Sequence, residues 1–367
     1  MKEVREGSAV IQAPAQSLTR KSDVFYNPAM EYQRDMTMAA LREYIRMGRS
    51  ELTACDPLAG TGIRSIRMLK EVSGMGCVTI NDGNPKAAEL IRSNLRLNGL
   101  DADNRAEVAN KSANLLFQER RKAYDYIDID PFGSPLGFIY NAGHALRHGG
   151  MLAVTATDTG ALCGAFASTC FSRYGIMSAK TDFFKELGAR ALITATMSEL
   201  SKQGMAFKPL YAHANHYFRA MGIASARKSD LTRQMAQVRL LVYCRRCLYR
   251  SMDLASACPH CGGKLDVLGP LWTGPIKDDD FCRGMLKDLE SAGYRRTREL
   301  SAAVAELDVP FYYDTPRVFR YLRKAPGRID SLIEALSAAG HRASRTHLCP
   351  TGIKTDAPHE AVLKAFM

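Results

Sequence analysis

Leu52-Thr53-Ala54-Cys55-Asp56-Pro57-Leu58-Ala59-Gly60-Thr61-Gly62-Ile63 reads as a short apolar strand ending on an acid, a glycine turn, and the first residue of a helix. Ile63, Ile66 and Leu69 then recur at helical spacing, giving that helix one apolar face. Gly60 and Gly62 permit close backbone approach and φ values that other residues avoid. Working outward, Cys77-Val78-Thr79-Ile80-Asn81 is a second strand, closed by Asp82. Pro85 suits the first turn of the next helix and Gly99 its end. Residues 124–129 form a later strand, and after Gly149-Gly150 the run Met151–Thr157 forms another. Strand-like and helix-like segments that alternate in this way predict an α/β fold with a parallel sheet covered by helices.

Ligands of open α/β sheets sit outside the carboxyl ends of the strands, where Asp56, the glycine turn and Asp82 all fall. A carboxylate at Asp82 can accept hydrogen bonds from both hydroxyls of a ribose. Two nucleotide-type ligands compete for such a site. A dinucleotide wants G-x-G-x-x-G/A, whereas Ser65 stands at the third glycine position here, preceded by Arg64. S-adenosylmethionine has no phosphate and does not need that glycine. Its amino-acid carboxylate suits a two-pronged arginine contact, for which Arg64 and Arg34 are candidates. The residues therefore favour the methyl donor over NAD, with a glycine turn that holds no ligand as the remaining alternative.

Asp130-Pro131-Phe132-Gly133 follows the strand at 124–129 and precedes the turn-forming Ser134-Pro135. It sets a carboxylate, a proline-fixed carbonyl and an aromatic ring where a strand meets a loop. The acid and the carbonyl can accept hydrogen bonds from an exocyclic base amine, and the ring can stack on the base. Phe132 is expected on one face of that base, with Phe25 as the candidate for the other. A Pro-Phe turn capping a buried strand is the plain structural alternative. Asp128, two residues earlier on the same strand face, reads as structural.

Cys244-x2-Cys247 and Cys258-x2-Cys261 form two knuckles whose four thiolates have the spacing of a structural Zn2+ site. With all four positions cysteine, no coordination position stays open for catalysis. A zinc ribbon over about 240–268 is expected. His260, between two ligands, reads as an exposed knuckle residue rather than a fifth ligand.

The chain has 367 residues, 46% apolar and 24% charged, enough for a substantial core and for two domains. No run approaches the roughly 18 apolar residues of a membrane span, and residues 1–6 lack the order of a signal peptide. A cytoplasmic location without membrane attachment follows, in which the ten cysteines are thiols or metal ligands. Net charge is +12; residues 218–367 carry 24 Lys+Arg against 16 Asp+Glu, a surplus of 8 out of the 12. Such a basic half points to a polyanionic partner, nucleic acid first. The polar connector Arg227-Lys228-Ser229-Asp230 marks a domain boundary near 225. Helical periodicity in Ile329-Leu332-Ile333-Leu336, then a strand-like 342–347, suits a winged-helix-like tail. No obligate protein partner is evident.

Taken in order, these motifs resemble the archaeal form of the tRNA (guanine-26-N2)-dimethyltransferase family. The resemblance is carried by Phe25-Tyr26-Asn27-Pro28, Arg34-Asp35, Asp56 through Ser65, and Asn81-Asp82. It continues through Asp130 to Pro135, Ala156-Thr157-Asp158-Thr159, the four cysteines, Ser344-Arg345-Thr346-His347 and Thr351 to Pro358. It implies transfer of one or two methyl groups from S-adenosylmethionine to N2 of the guanosine that joins the D stem to the anticodon stem. Residues 1–225 would be the Rossmann-like methyltransferase domain and 226–367 an α+β tRNA-binding domain with the zinc ribbon. In the family pattern the residues matching Arg34, Arg64 and Asp82 contact the cofactor, and the one matching Asp130 serves the target amine. Ser112-Ala113 stand where relatives often have Asp-Ala, near the adenine; Ser112 can hydrogen-bond but carries no charge. Arg345, His347 and Lys354 are candidates to grip tRNA phosphates. Two alternatives stand beside this reading: a non-catalytic zinc-ribbon RNA-binding protein, and a methyltransferase acting on a different RNA base.

Overall fold

Buried apolar strands set the architecture. In a computed structural model, which describes residues 1–15, 24–294 and 296–367, an N-terminal hairpin of β1 (Lys2–Glu6) and β2 (Ala9–Ala13) leads to α1 (Glu31–Arg46). Next come β3 (Leu52–Asp56), α2 (Ile63–Glu71), β4 (Met75–Asn81), α3 (Pro85–Leu97) and β5 (Ala106–Ala109). They are followed by α4 (Ala113–Glu119), β6 (Tyr124–Ile129), α5 (Leu136–Ala145) and β7 (Leu146–Ala156). Short helices α6 (Thr159–Leu162) and α7 (Ala167–Tyr174) precede the long α8 (Phe184–Ser201) and a hairpin of β8 (Ala206–Ala214) and β9 (Phe218–Ser225).

These strands form a seven-stranded sheet in the order β5-β4-β3-β6-β7-β9-β8. All neighbours from β5 to β7 are parallel, and β9 runs antiparallel between β7 and β8. Every residue of β6 is buried, as befits a central parallel strand covered on both faces. The order reverses between β3 and β6, so the carboxyl ends of those two strands flank the crevice where such sheets bind ligands. The reversed β9 separates this sheet from the all-parallel dinucleotide-binding order.

The observed strands fit the periodicity, with β6 at the expected limits and β7 starting five residues before Met151. That early start is a register shift where β7 begins opposite Tyr124.

After β9, α9 (Lys228–Ala236) carries the chain into a small antiparallel sheet of β10 (Val238–Tyr243), β11 (Arg250–Ser251) and β12 (Asp266–Trp272). Next, α10 (Asp279–Ser291) returns to α1, where Asp288 accepts from Arg42 at 2.7 Å and Arg46 at 2.6 Å. The remaining elements are α11 (Arg298–Ala305), β13 (Tyr313–Asp314), α12 (Thr315–Leu322), α13 (Ile329–Ala338), β14 (Ala343–Arg345), β15 (Gly352–Thr355) and α14 (His359–Ala365). The order helix, strand, helix, helix, strand, strand, with β15 central in its sheet, is a winged-helix arrangement.

One apolar core runs from the large sheet (Ile127, Leu152) into this module (Tyr312, Leu336, Phe366). Arg250 of β11 pins the junction. Its buried guanidinium donates to both Asp182 oxygens at 2.8 and 2.7 Å, donates to the Tyr312 carbonyl at 2.5 Å, and lies over the Tyr313 ring. Among the described residues, no helix is long and apolar enough to cross a membrane.

Candidate active site and metal centre

The glycine turn sits at the carboxyl end of β3, and its shape requires its glycines. Gly60 and Gly62 have φ of 55° and 79°, in the left-handed region. A Cβ at Gly60 would lie 2.9 Å from the Phe25 carbonyl oxygen, so the missing side chain lets the Phe25 segment close over the turn. Asp82, at the end of β4, accepts from the Gly60 amide and the Asn84 amide, each at 2.9 Å. Burial raises its carboxyl above the usual range against those two bonds. Asp56 is buried and accepts from the Ser65 hydroxyl at 2.9 Å; burial pushes its carboxyl up to about 7, with Arg64 opposing. Asn81 joins three loops, donating to the Pro57 carbonyl at 2.9 Å and the Lys111 carbonyl at 3.0 Å. That bond fixes the approach to Ser112, which stands just before the first residue of α4, and to the buried Ala113. The turn, Asp56, Asp82, Ser112 and Ala113 thus share one rim.

Behind this rim is a network of two acids and two arginines. Arg64 on α2 donates through Nη1 to Asp128 at 2.8 Å, and through Nη2 to Gln33 at 3.0 Å and to Asp130. Arg219 on β9 holds both oxygens of Asp128, at 2.9 and 2.6 Å, and donates to the hydroxyls of Thr155 and Thr37 at 2.7 and 2.9 Å. Burial alone would favour a neutral Asp128; Arg219 and then Arg64 overcome it and hold the carboxyl below its usual range. Arg34 is also engaged, in a bidentate pair with Glu6 of β1 at 2.6 Å for each bond. Arg67 adds a third bond to Glu6 at 2.9 Å. Sequence reading missed Glu6 and Arg219, whose partners lie 28 and 91 residues away. No local motif marks either residue.

Asp130 leaves β6 at the crevice, its side chain 18% exposed. The loop behind it is clamped to β7: Thr157 Oγ1 accepts from the Gly133 amide at 2.7 Å, and the Thr157 amide donates to the Gly133 carbonyl at 2.9 Å. Phe132 is held outward, 49% exposed. Phe25 meets it edge to face, with ring centroids 4.6 Å apart and planes at 76°. The expectation of two opposed rings with a base between them is corrected accordingly. The rings touch each other, so a base on Phe132 takes its outward face or displaces Phe25.

A second correction concerns the tail. His347 and Lys354 are buried rather than presented to phosphate. His347 donates from Nδ1 to Glu306 at 2.6 Å and from Nε2 to the Ala212 carbonyl at 2.8 Å. Lys354 pairs with Glu306 at 2.6 Å and with Glu186 at 3.4 Å. His347 thereby ties the winged-helix module to β8 of the large sheet, and Lys354 ties it to α8. Arg345 is exposed and pairs with Asp330 at 2.8 Å.

The four knuckle cysteines converge, with all Sγ atoms within 4.8 Å of one another. Cys244–Cys261 and Cys247–Cys258 sulfurs are 3.5 Å apart, far beyond a disulfide and close to the roughly 3.8 Å edge of a tetrahedron with 2.3 Å Zn–S bonds. Each knuckle closes through a left-handed residue after its second cysteine, Leu248 at φ 66° and Gly262 at φ 68°. The donor set and its geometry fit zinc.

Fold and rim together define a Rossmann-like, S-adenosylmethionine-dependent methyltransferase with an appended zinc ribbon and winged-helix module. The family model described as N2,N2-dimethylguanosine tRNA methyltransferase matches residues 7–367. The chain belongs to that family. It is 35% identical to the tRNA (guanine(26)-N(2))-dimethyltransferase of Methanothermobacter thermautotrophicus over 96% of this chain and 95% of that protein. It is 38% identical to the protein of the same name from Methanoculleus marisnigri, over 91% and 89% of the two chains. The solved complex of Trm1 from Pyrococcus horikoshii with S-adenosyl-L-methionine superposes with a TM-score of 0.88 at 29% identity, covering 100% of this chain and 99% of that one.

Proposed function

We propose that this chain methylates the exocyclic N2 of the guanosine at position 26 of tRNA, once or twice, with S-adenosylmethionine as donor. The observation that carries the reading is Asp130, held by Arg64 at the carboxyl end of β6 beside the outward Phe132. Family membership supplies the substrate; the rim supplies the chemistry.

The glycine turn and Asp56 would seat the cofactor, with Asp82 on the ribose hydroxyls and Ser112-Ala113 beside the adenine. Arg34 and Arg64 would face its carboxylate. When bound, S-adenosylmethionine supplies a methyl group made electrophilic by its sulfonium centre. The lone pair of guanine N2 is delocalised into the ring, so the amine needs help to attack. Asp130 and the Pro131 carbonyl would accept its two N–H bonds and favour a pyramidal nitrogen. Asp130 would take the proton the amine gives up, a contribution of about 10²–10⁴-fold for general-base catalysis. Phe132 would stack on the base, worth roughly 1–3 kcal/mol. That offsets much of the cost of taking the base from its helix. Residues 226–367 would hold the tRNA, Arg345 being the exposed candidate of the tail. The cytoplasm, where tRNA is processed, is the expected compartment.

The test is methyl transfer from labelled S-adenosylmethionine to an unmodified tRNA transcript, run beside the same transcript with adenosine at position 26. Label on the first alone, recovered as N2-methylated guanosine, supports the reading. Equal label on both discards the position; label on neither, with cofactor binding intact, points to a binding protein.

A further inference from the structure

The segment between Thr157 and α8 belongs to neither the cofactor rim nor the metal centre, and it carries two large exposed aromatic side chains. Phe166 is 64% exposed and Phe171 61%, the most exposed aromatics among the described residues. Burying such rings would be favourable, so their exposure calls for an explanation.

The segment runs from the base pocket to the zinc ribbon. At its start, Thr157 is the residue clamped to Gly133 of the Asp130 loop. Asp158 follows, accepting from the Tyr174 hydroxyl at 2.5 Å and from Arg173 at 3.0 Å. Phe171 is one helical turn before Tyr174, so it rides on the turn of α7 that is fastened to the pocket rim. The Phe166 amide donates to the Gly160 carbonyl at 3.1 Å, and a Cβ at Gly160 would lie 2.7 Å from the Phe166 ring. Glycine at 160 therefore lets that ring settle on α6 with the rest of it in solvent. At the far end, Met177 and Gly269 of β12 exchange two backbone bonds of 2.8 Å. Exposed Arg173 and Lys180 lie in the same stretch, whose two acids are both already paired, Asp158 with Arg173 and Asp182 with Arg250.

The geometry points to α6 and α7 as a stacking platform for the tRNA nucleotides next to the extracted guanosine, with Phe166 and Phe171 as the stacking rings. This rests on the tRNA methyltransferase reading. A base drawn out of a helix leaves its neighbours unstacked, and aromatic side chains stack on any base regardless of sequence. A polyanion that reaches from the Asp130 pocket to the more basic C-terminal part crosses this segment. The occupant is therefore nucleic acid, and the rings act by positioning it.

The test uses the full chain and compares wild type with Phe166→Ala, Phe171→Ala and Phe171→Trp. It measures tRNA affinity, KM, kcat, S-adenosylmethionine affinity and melting temperature, and the fluorescence of 2-aminopurine placed beside position 26. Each alanine variant is expected to weaken tRNA binding about 5- to 150-fold, the equivalent of one lost stack. Cofactor affinity and melting temperature should hold, tryptophan should restore binding, and the quenching of 2-aminopurine should fall with Phe171→Ala. Affinity within twofold of wild type in both alanine variants would overturn the platform. So would a loss that comes with a lowered melting temperature and is not restored by tryptophan. If wild type itself transfers no methyl to tRNA, it is the parent reading that has failed.

Discussion

Arg64 and Asp130 are bonded to each other, Nη2 to Oδ2, across 66 residues of chain. The same guanidinium holds Asp128 through Nη1 at 2.8 Å, so one arginine ties the proposed base to the floor of the sheet. Asp130 is thereby aimed by a side chain that is itself immobilised by Gln33 and Asp128.

Asp130→Asn keeps the shape and an acceptor while removing the charge and the proton-accepting capacity. Single-turnover methylation is expected to fall by about 10²–10⁴-fold. Cofactor affinity by calorimetry should change little. Turnover within a few-fold of wild type would remove Asp130 from the role of base.

Arg219→Met leaves the fully buried Asp128 with Arg64 as its one arginine. Removing one partner of a buried pair typically costs about 3–5 kcal/mol, and denaturant unfolding should show a loss of that order. A change under ~0.5 kcal/mol would mean that Arg64 and Tyr126, which donates to Asp128 at 2.5 Å, suffice.

Stripping zinc with a chelator should lower the melting temperature and expose the ribbon between β10 and β12 to protease. Cys258→Ser should do the same without chelator. An unchanged melting curve with metal shown absent would contradict a structural zinc site.

His347 supplies a pH dependence of known sign. Burial disfavours its charged ring, but Glu306 and the Ala212 carbonyl outweigh this and raise it above the usual 6.5. The native state thus binds the proton more tightly than the unfolded chain does. Its stabilisation is fully present below pH 6.5 and is lost as pH rises through the raised native value. Glu306→Gln should flatten that decline in a series of melting curves and lower stability at pH 6. An unaltered slope would refute the charged pair.

What was legible in the chain is what a few neighbouring residues encode. The glycine turn, the limits of β6, the helix from Pro85 and all four metal ligands follow from local steric and periodic rules, because each needs only residues within a turn or a knuckle of one another. Partnerships set by sheet order were not legible. Arg219 reaches Asp128 because β9 runs antiparallel beside β7, which sets Arg219 opposite Thr155 while β6 lies on the other side of β7. Arg34 pairs with Glu6 because the N-terminal hairpin folds back onto α2 and α3. His347 and Lys354, read as surface cations, were drawn inside by Glu306 and Glu186, two acids that a linear chain keeps out of sight. The sequence alone determined the local elements around the crevice and the pairing of the two cysteine knuckles. Only the tertiary structure decided which charges neutralise one another, because a buried charge takes its partner from what packing brings within about 3 Å, at any distance along the chain.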